Sequence, residues 1–159
     1  MNHLLALLKE NARISLEDAA RQLARSPEDI AEEMDRLEQQ GVIRAYQAVV
    51  NEEKLDETSV TAVIEVQVQP EREGGFDHIA ARLSRYPEVI SMYLMSGQYD
   101  LMLFVEGSDL RTVASFVSEK LSSISGVTGT ATHFRLKTYK HHGVLMEFAH
   151  ESERLQVSP

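Results

Sequence analysis

The chain of 159 residues contains no cysteine. Disulfide bonds, cysteine-ligated zinc and thiol nucleophiles are therefore excluded. Long apolar runs are also missing, since no segment approaches the roughly 18 apolar residues of a membrane-spanning helix. The amino terminus has an apolar patch but neither a basic leader nor a cleavage site. We therefore expect a cytoplasmic protein.

Positive charge is scarce. Sixteen lysines and arginines stand against 25 aspartates and glutamates, which gives a formal net charge of −9. This balance matches poorly with a protein that coats nucleic acid electrostatically, and it excludes a polybasic membrane anchor. The apolar fraction of 43% is sufficient for packed cores, and the length suits one ordinary domain or two small ones.

The first 50 residues carry the start and stop signals of three short helices. A leucine stripe over residues 4–8 predicts an opening helix that ends near Asn11. Ser15 is placed to cap a second helix, and Ser26, followed by Pro27 at the first helical position, is placed to cap a third. The core-facing stripe of the third helix and the glycine that ends it are Ile30, Met34, Leu37 and Gly41.

The second and third helices, joined by a tight turn, have the layout of a helix-turn-helix, whose second helix enters the DNA major groove. Residues 1–46 contain six basic and nine acidic side chains, so intrinsic DNA affinity is expected to be weak and salt-sensitive. The candidate DNA-binding residues are five arginines that a single face could gather, Arg13, Arg21, Arg25, Arg36 and Arg44, and four groove-facing residues, Ser26, Glu28, Asp29 and Glu32.

Residues 42–50 are β-branched and aromatic and predict a strand. The polar stretch that follows lacks periodicity and is interpreted as a domain boundary. The predicted organisation is a helix-turn-helix domain, a linker, a ligand-binding and oligomerisation domain, and a carboxy-terminal tail, at residues 1–50, 51–58, 59–140 and 141–159.

The second domain has a β-α-β-β-α-β rhythm. An alternating strand ends at Pro70, a turn at Gly97 separates two middle strands, and Ser108 is placed to cap the second helix. The strands are predicted at residues 60–69, 88–96, 99–105 and 127–137. This order predicts an α+β, ferredoxin-like fold, with helices on one sheet face and an open face suited to dimerisation.

Three stretches, Leu37–Tyr46, Ser96–Leu101 and Gly126–Thr132, resemble the Lrp/AsnC family, the feast/famine regulators of bacteria and archaea. The resemblance covers about residues 1–140. It implies a winged-type DNA-binding half and a ligand-binding half, often called the RAM domain. It also implies dimers built on the sheet face, commonly assembled into tetramers or octamers. In the family a basic residue usually stands where this chain has Glu33, and often another near Asp35.

The resemblance also implies that small effectors, usually amino acids, bind between dimers near the loop of Gly97, Gln98, Tyr99 and Asp100. Backbone N–H groups and the Asp100 carboxylate would hold the charged ends of an amino acid. The competing interpretation is a hairpin turn that requires glycine. Two hydroxyls on the last strand are further candidates, with β-propensity as the alternative explanation. They are Thr130 and Thr132.

Three histidines, His133, His141 and His142, lack a metal-binding spacing, so a solvated basic stretch with Lys137 and Lys140 is favoured over a metal site. No catalytic constellation or nucleotide-binding glycine loop stands out. We therefore predict a protein that is not an enzyme and that has no cofactor.

Three functional hypotheses follow. The first is a ligand-responsive transcriptional regulator that binds operator DNA as a homo-oligomer and senses an amino acid or similar metabolite. The second is an amino-acid-sensing oligomer with weak or lost DNA binding that acts through a protein partner, and the acidic third helix motivates it. The third is an enzyme, because some tetrapyrrole decarboxylases share this architecture. The strand at residues 89–94 offers no histidine for that chemistry.

Overall fold

The computed structural model describes residues 2–55, 59–69 and 75–146 of the chain. The chain divides into two compact units, unit 1 at Met1–Val50 and unit 2 at Asn51–Pro159. Within the described ranges, no helix has the length and apolar character needed to cross a membrane.

Unit 1 consists of three helices, α1 (His3–Glu10), α2 (Leu16–Leu23) and α3 (Pro27–Gln39). The turn between α2 and α3 is tight because Ala24 adopts the left-handed conformation, with φ at 53°. Gly41, with φ at 69°, follows the end of α3 as predicted. The buried side chains that pack the three helices together are Leu4, Leu8, Ala19, Ala20, Ile30 and Leu37.

A side chain caps the amino terminus of each of these helices. Ser15 Oγ accepts a hydrogen bond from the Asp18 amide at 3.0 Å, and Ser26 Oγ accepts one from the Asp29 amide at 3.1 Å. Asn2 caps α1 in the same way. Each such cap contributes about 1 kcal/mol, and both predicted serine caps are confirmed.

The prediction of a strand at residues 42–50 is wrong, since this segment forms no strand. A strand needs backbone hydrogen bonds to a neighbour, and the described part of unit 1 contains no other strand. Ile43 packs against the helical core, whereas Val42 and Val50 are 54% and 48% exposed. A β-branched composition alone does not make a strand.

Unit 2 contains a four-stranded sheet, whose strands are β1 (Val60–Val68), β2 (Val89–Leu94), β3 (Leu101–Gly107) and β4 (Val127–Phe134). The strands pair antiparallel in the order β2-β3-β1-β4, which confirms the ferredoxin-like prediction. Two helices accompany the sheet, α4 (Gly75–Leu83) and α5 (Leu110–Ser115), and α5 continues as a π-helical segment, Phe116–Leu121.

The alternation in β1 separates the two sheet faces. Ala62, Ile64 and Val66 are fully buried and belong to a core that also contains Leu83 of α4 and Phe116. Burial of each of the larger of these side chains, such as Ile64 or Val66, contributes about 1.5–3 kcal/mol. The intervening residues of β1 lie on the opposite, open face.

Two details of unit 2 differ from the sequence prediction. The cap of α5 is Asp109 and not Ser108, because the Asp109 carboxylate accepts the Thr112 amide at 2.7 Å. The last strand of the sheet ends at Phe134, and a hairpin that the sequence did not predict follows it, with β5 (Lys140–His141) paired to β6 (Val144–Leu145). Its two turn residues, His142 and Gly143, have φ of 45° and 87°, as two-residue hairpin turns require.

Candidate DNA interface and effector loop

The exposed face of α3 is acidic. Glu28, Glu32 and Asp35 lie at i, i+4 and i+7 and are all exposed, and none forms an ion pair with a residue in the described ranges. Asp29 is also exposed, and Ser26 is half-buried with its hydroxyl engaged in the cap. A DNA major groove that received this helix would meet carboxylates, which accept hydrogen bonds from cytosine N4 and repel phosphates.

The Glu33 carboxylate binds side chains from other parts of unit 1. Its carboxylate pairs with Arg25, accepts a hydrogen bond from Asn2 Nδ2 at 2.6 Å, and lies 3.8 Å from Arg36 Nη2. The hydrogen bond from Arg25, followed by that from Asn2, holds the Glu33 pKa below its usual 4.5. Glu33 thus ties α3 to the start of α1 and to the turn before α3.

Arg25 is held inside the same arrangement. Its guanidinium donates to Glu33 and also to the Asp29 carbonyl oxygen at 3.0 Å. Sequence reasoning placed Arg25 among the DNA contacts and missed Asn2 and Glu33 as its supports. The signal for Asn2 was its residue type immediately before the opening helix, where asparagine is a preferred cap.

The other four candidate arginines differ in their surroundings. Arg21 Nη1 lies 2.9 Å from Asp18 Oδ1, and both side chains are more than half exposed, so the pair contributes about 0–1 kcal/mol. Arg36 Nη1 is 3.4 Å from Gln40 Oε1. Arg13 and Arg44 are exposed and form no ion pair with a described residue.

An open groove of about 300 Å³ lies beside the end of α3. The Tyr46 hydroxyl donates to Glu38 Oε1 at 2.8 Å. Burial, with a further contribution from Glu38, raises the Tyr46 pKa to about 12. The residues that line the groove are Glu38, Ile43, Arg44, Ala45 and Tyr46.

The candidate effector loop, residues 97–100, joins β2 to β3 and is anchored to β1. Gly97 has φ at 133°, a conformation that favours glycine. The Asp100 amide donates to the Val66 carbonyl at 3.0 Å, and Asp100 Oδ2 accepts the Val68 amide at 2.7 Å. The half-buried Asp100 therefore supports the loop through one carboxylate oxygen, and no hydrogen bond joins its Oδ1 to a described residue. Tyr99 beside it is half-buried.

A glutamine that sequence reasoning missed connects this loop to both neighbouring strands. Gln67 Nε2 donates to the Gln98 carbonyl at 3.2 Å, and the Gln67 carbonyl accepts from Thr128 Oγ1 at 3.2 Å. A Cβ at Gly129 would lie 2.9 Å from Gln67 Oε1, so glycine fits the close approach there. The sequence feature that could have indicated Gln67 is its outward position near the end of an alternating strand.

The two candidate threonines lie on the other sheet face from Gln67. Thr130 is opposite Val66 and Thr132 is opposite Ile64, so both share the face that carries the helices. Thr130 is exposed, and it lies about 10 Å from the start of β3, because one strand separates them. The structure therefore groups Gly97–Asp100 with Gln67 and sets the threonines apart.

The open face of the sheet carries exposed aromatic and apolar groups. The Tyr93 and Phe104 rings meet edge to face at 6.1 Å, and Tyr93 is 53% exposed. His133 Nε2 lies 3.6 Å from Glu65 Oε1 on the same face. Over the described residues, no three His, Asp or Glu side chains gather closely enough to hold a metal ion.

The chain thus combines a helix-turn-helix unit with a ferredoxin-like unit that carries a polar loop between β2 and β3. The family model of the Lrp/AsnC ligand binding domain matches residues 61–145. The uncharacterized HTH-type transcriptional regulator YugG of Bacillus subtilis is 43% identical over 157 residues, which cover 98% of this chain and 95% of YugG. This chain belongs to the Lrp/AsnC family of transcriptional regulators.

Other relatives agree. The leucine-responsive regulatory protein of Haemophilus influenzae is 27% identical over 139 residues, 87% of this chain and 83% of that protein. The Neisseria meningitidis regulator NMB0573, solved as an L-Met complex, is 28% identical with a TM-score of 0.69, covering 87% of this chain and 88% of that one. These relatives are regulators and not enzymes, so the predictions of family, fold and non-enzymatic class are confirmed.

Proposed function

We propose that this protein binds operator DNA as a homo-oligomer and that an amino acid changes this binding. The observation that carries the proposal is the combination, in one chain, of a fully capped helix-turn-helix with an effector loop anchored to the sheet through Asp100. The L-Met complex of the Neisseria meningitidis relative supports an amino acid as the effector class.

The effector would be held by its charged ends. Its α-carboxylate needs N–H donors, which the turn at Gly97 and Gln98 supplies from the backbone, and its α-ammonium needs a carboxylate. Asp100 suits that role because the Val68 amide fixes Oδ2, while no described residue forms a hydrogen bond with Oδ1. Gln67 supports the same loop through the Gln98 carbonyl.

The DNA contacts would come from the exposed side of α3 and the arginines around it. Arg36, together with Arg13 and Arg44, which form no ion pair with a described residue, is suited to phosphates, whereas Glu28 and Glu32 would select base edges. Arg25 is assigned a supporting role, because Glu33 and the Asp29 carbonyl hold its guanidinium.

The oligomer would form on the open sheet face, where Tyr93 and Phe104 are available for a second copy. An effector that alters the geometry of such an oligomer changes the spacing of its recognition helices and hence the DNA affinity. A regulator that binds chromosomal DNA works in the cytoplasm. We retain the division predicted from the sequence. It consists of a helix-turn-helix domain at residues 1–50, a linker at 51–58, a ligand-binding and oligomerisation domain at 59–140 and a carboxy-terminal tail at 141–159.

The direct test is binding of the full-length protein to fluorescent DNA from upstream of its own coding region, at about 50 mM and 200 mM salt. We expect saturable binding that weakens steeply with salt. Arg36→Gln should lower the affinity, whereas Lys9→Gln, an equal charge change outside the recognition helix, serves as the matched control. Absence of saturable binding at both salt concentrations would contradict the proposal and favour an oligomer that acts through a protein partner.

A further inference from the structure

The acidic residues are unevenly distributed along this chain. Its 25 aspartates and glutamates all lie outside residues 120–146, although the net charge of the whole chain is −9. Within that interval stand four lysines and arginines and three histidines. This carboxylate-free segment includes β4, the connection after it and the β5–β6 hairpin.

Two of these cations are already engaged. Lys120 pairs with Glu88 and lies 5.5 Å from the centre of the Tyr86 ring. Arg135 pairs with Glu52 and donates to Thr61 Oγ1 at 2.8 Å. Their charges are therefore balanced within unit 2.

The remaining two lysines are positioned differently. Lys137 and Lys140 are exposed, and neither forms an ion pair with a described residue. Lys137 Nζ lies 5.4 Å from the centre of the Tyr139 ring, which orients the ammonium without neutralising it. His141 and His142 follow directly, both exposed, with ring centroids 4.2 Å apart.

The hairpin makes this patch a defined surface. Lys140 is opposite Leu145 in the β5–β6 pair, and the Tyr139 carbonyl accepts the Met146 amide at 3.0 Å, which extends the pairing. Met146, at the end of the hairpin, is buried. The term "basic hairpin" is used below for residues 137–142.

We propose that the basic hairpin is a second DNA-binding surface, which contacts duplex phosphates without reading sequence. The inference rests on the proposed operator binding and extends it to a surface outside the helix-turn-helix. Because unit 1 carries an acidic recognition helix, phosphate neutralisation has to come largely from other cations. Exposed lysines within a stretch of sequence that contains no aspartate or glutamate are suited to it.

The test is the salt dependence of DNA binding by the full-length double variant Lys137→Gln/Lys140→Gln. Each lysine that contacts a phosphate contributes about 0.9 to the slope of log K against log salt, so the slope should fall by about 1.8 for each protomer that engages DNA. Because the slope differs by about 1.8, the ratio of wild-type to variant affinity should shrink about twelvefold between about 50 mM and 200 mM salt for each protomer that engages DNA. The loss should be equal for operator and random duplexes, because phosphate contacts carry no sequence information.

The matched control is Arg82→Gln/Arg85→Gln, which removes two exposed charges from the end of α4 and the turn after it. If both double variants behave alike, general net charge explains the effect and the proposal is wrong. If the hairpin variant keeps the wild-type salt slope, the proposal is also wrong. In both cases, DNA binding by the wild type leaves the proposed function standing. If the wild type itself does not bind DNA, the proposed function and this proposal are both wrong.

Sedimentation of the hairpin variant separates DNA from a second copy of the chain as the occupant of this surface. An unchanged oligomer mass together with reduced DNA affinity supports the proposal. A changed mass means that the hairpin joins copies of the chain, and the assignment to DNA is then overturned.

Discussion

At the scale of single residues, the most consequential side chain of unit 1 is Glu33. Its carboxylate pairs with Arg25 and accepts a hydrogen bond from Asn2. Glu33 therefore forms an internal connection between α3, the turn before it and the start of α1. The acidic character of α3 is partly structural, since Glu33 is only 16% exposed whereas Glu32 beside it is exposed.

Glu33→Gln should lower the free energy of unfolding by about 1–2 kcal/mol at pH 7. Because the folded-state pKa of Glu33 lies below its unfolded value, its contribution is present above about pH 4.5 and is lost as the pH falls through the folded pKa. The difference between wild type and variant in urea unfolding should shrink from pH 7 to pH 3. Glu32→Gln is the control, and an equal effect of both variants would contradict this role.

Asp100→Asn should separate the two roles of this side chain. The amide oxygen of asparagine can still accept the Val68 amide, so the thermal midpoint should change little. The charge that would meet the effector ammonium is lost, so amino-acid affinity should fall about tenfold or more in calorimetric titration. Asp77→Asn, an exposed change on α4, is the control. Undiminished affinity would exclude Asp100 from the effector site.

At the scale of elements, local signals predicted local features well. Ser15, Ser26 and Gly41 act on their own helix ends, so the sequence around them was sufficient. The strand expected at residues 42–50 failed because strand formation depends on a partner, which no local pattern specifies. The position of Gln67 against the Gln98 carbonyl likewise depends on pairing between residues far apart in sequence.

Gly126, at the entry to β4, illustrates a constraint that the sequence conceals. It has φ at 90°, and an added Cβ would lie 2.7 Å from Ile79 Cδ1 and 3.2 Å from the Gln69 carbonyl oxygen. Gly126→Ala should therefore cost about 1–3 kcal/mol more than Gly143→Ala, whose φ of 87° is similar but whose surroundings are open. Thermal unfolding of the two variants measures the difference, and equal losses would contradict the close packing against α4.

The exposed carboxylates of α3 should act as selectivity elements. The double variant Glu28→Gln/Glu32→Gln removes two charges that repel phosphates, so its affinity for random DNA should rise several-fold. Operator affinity should rise less, because base contacts by these side chains are lost. Asp77→Asn/Glu119→Gln, with both positions exposed in unit 2, matches the charge change. Equal gains on both duplexes would show that these carboxylates do not read bases.

At the scale of the whole molecule, the family comparison and the charge distribution must be reconciled. The chain belongs to a family of DNA-binding regulators, yet its formal net charge is −9 and residues 1–46 have a net charge of −3. The proposed oligomer would reconcile them, because several weak contacts on one duplex combine into a strong one. The uneven placement of carboxylates, with none in residues 120–146, provides a further positive surface.

The most direct test of the central claim is the operator-binding curve of the full-length protein, recorded by fluorescence anisotropy with and without each of the common amino acids. The account predicts that at least one amino acid shifts the midpoint several-fold, and that the shift is absent in Asp100→Asn. Identical curves under all conditions would contradict an effector-responsive regulator, even if the DNA binding itself were tight.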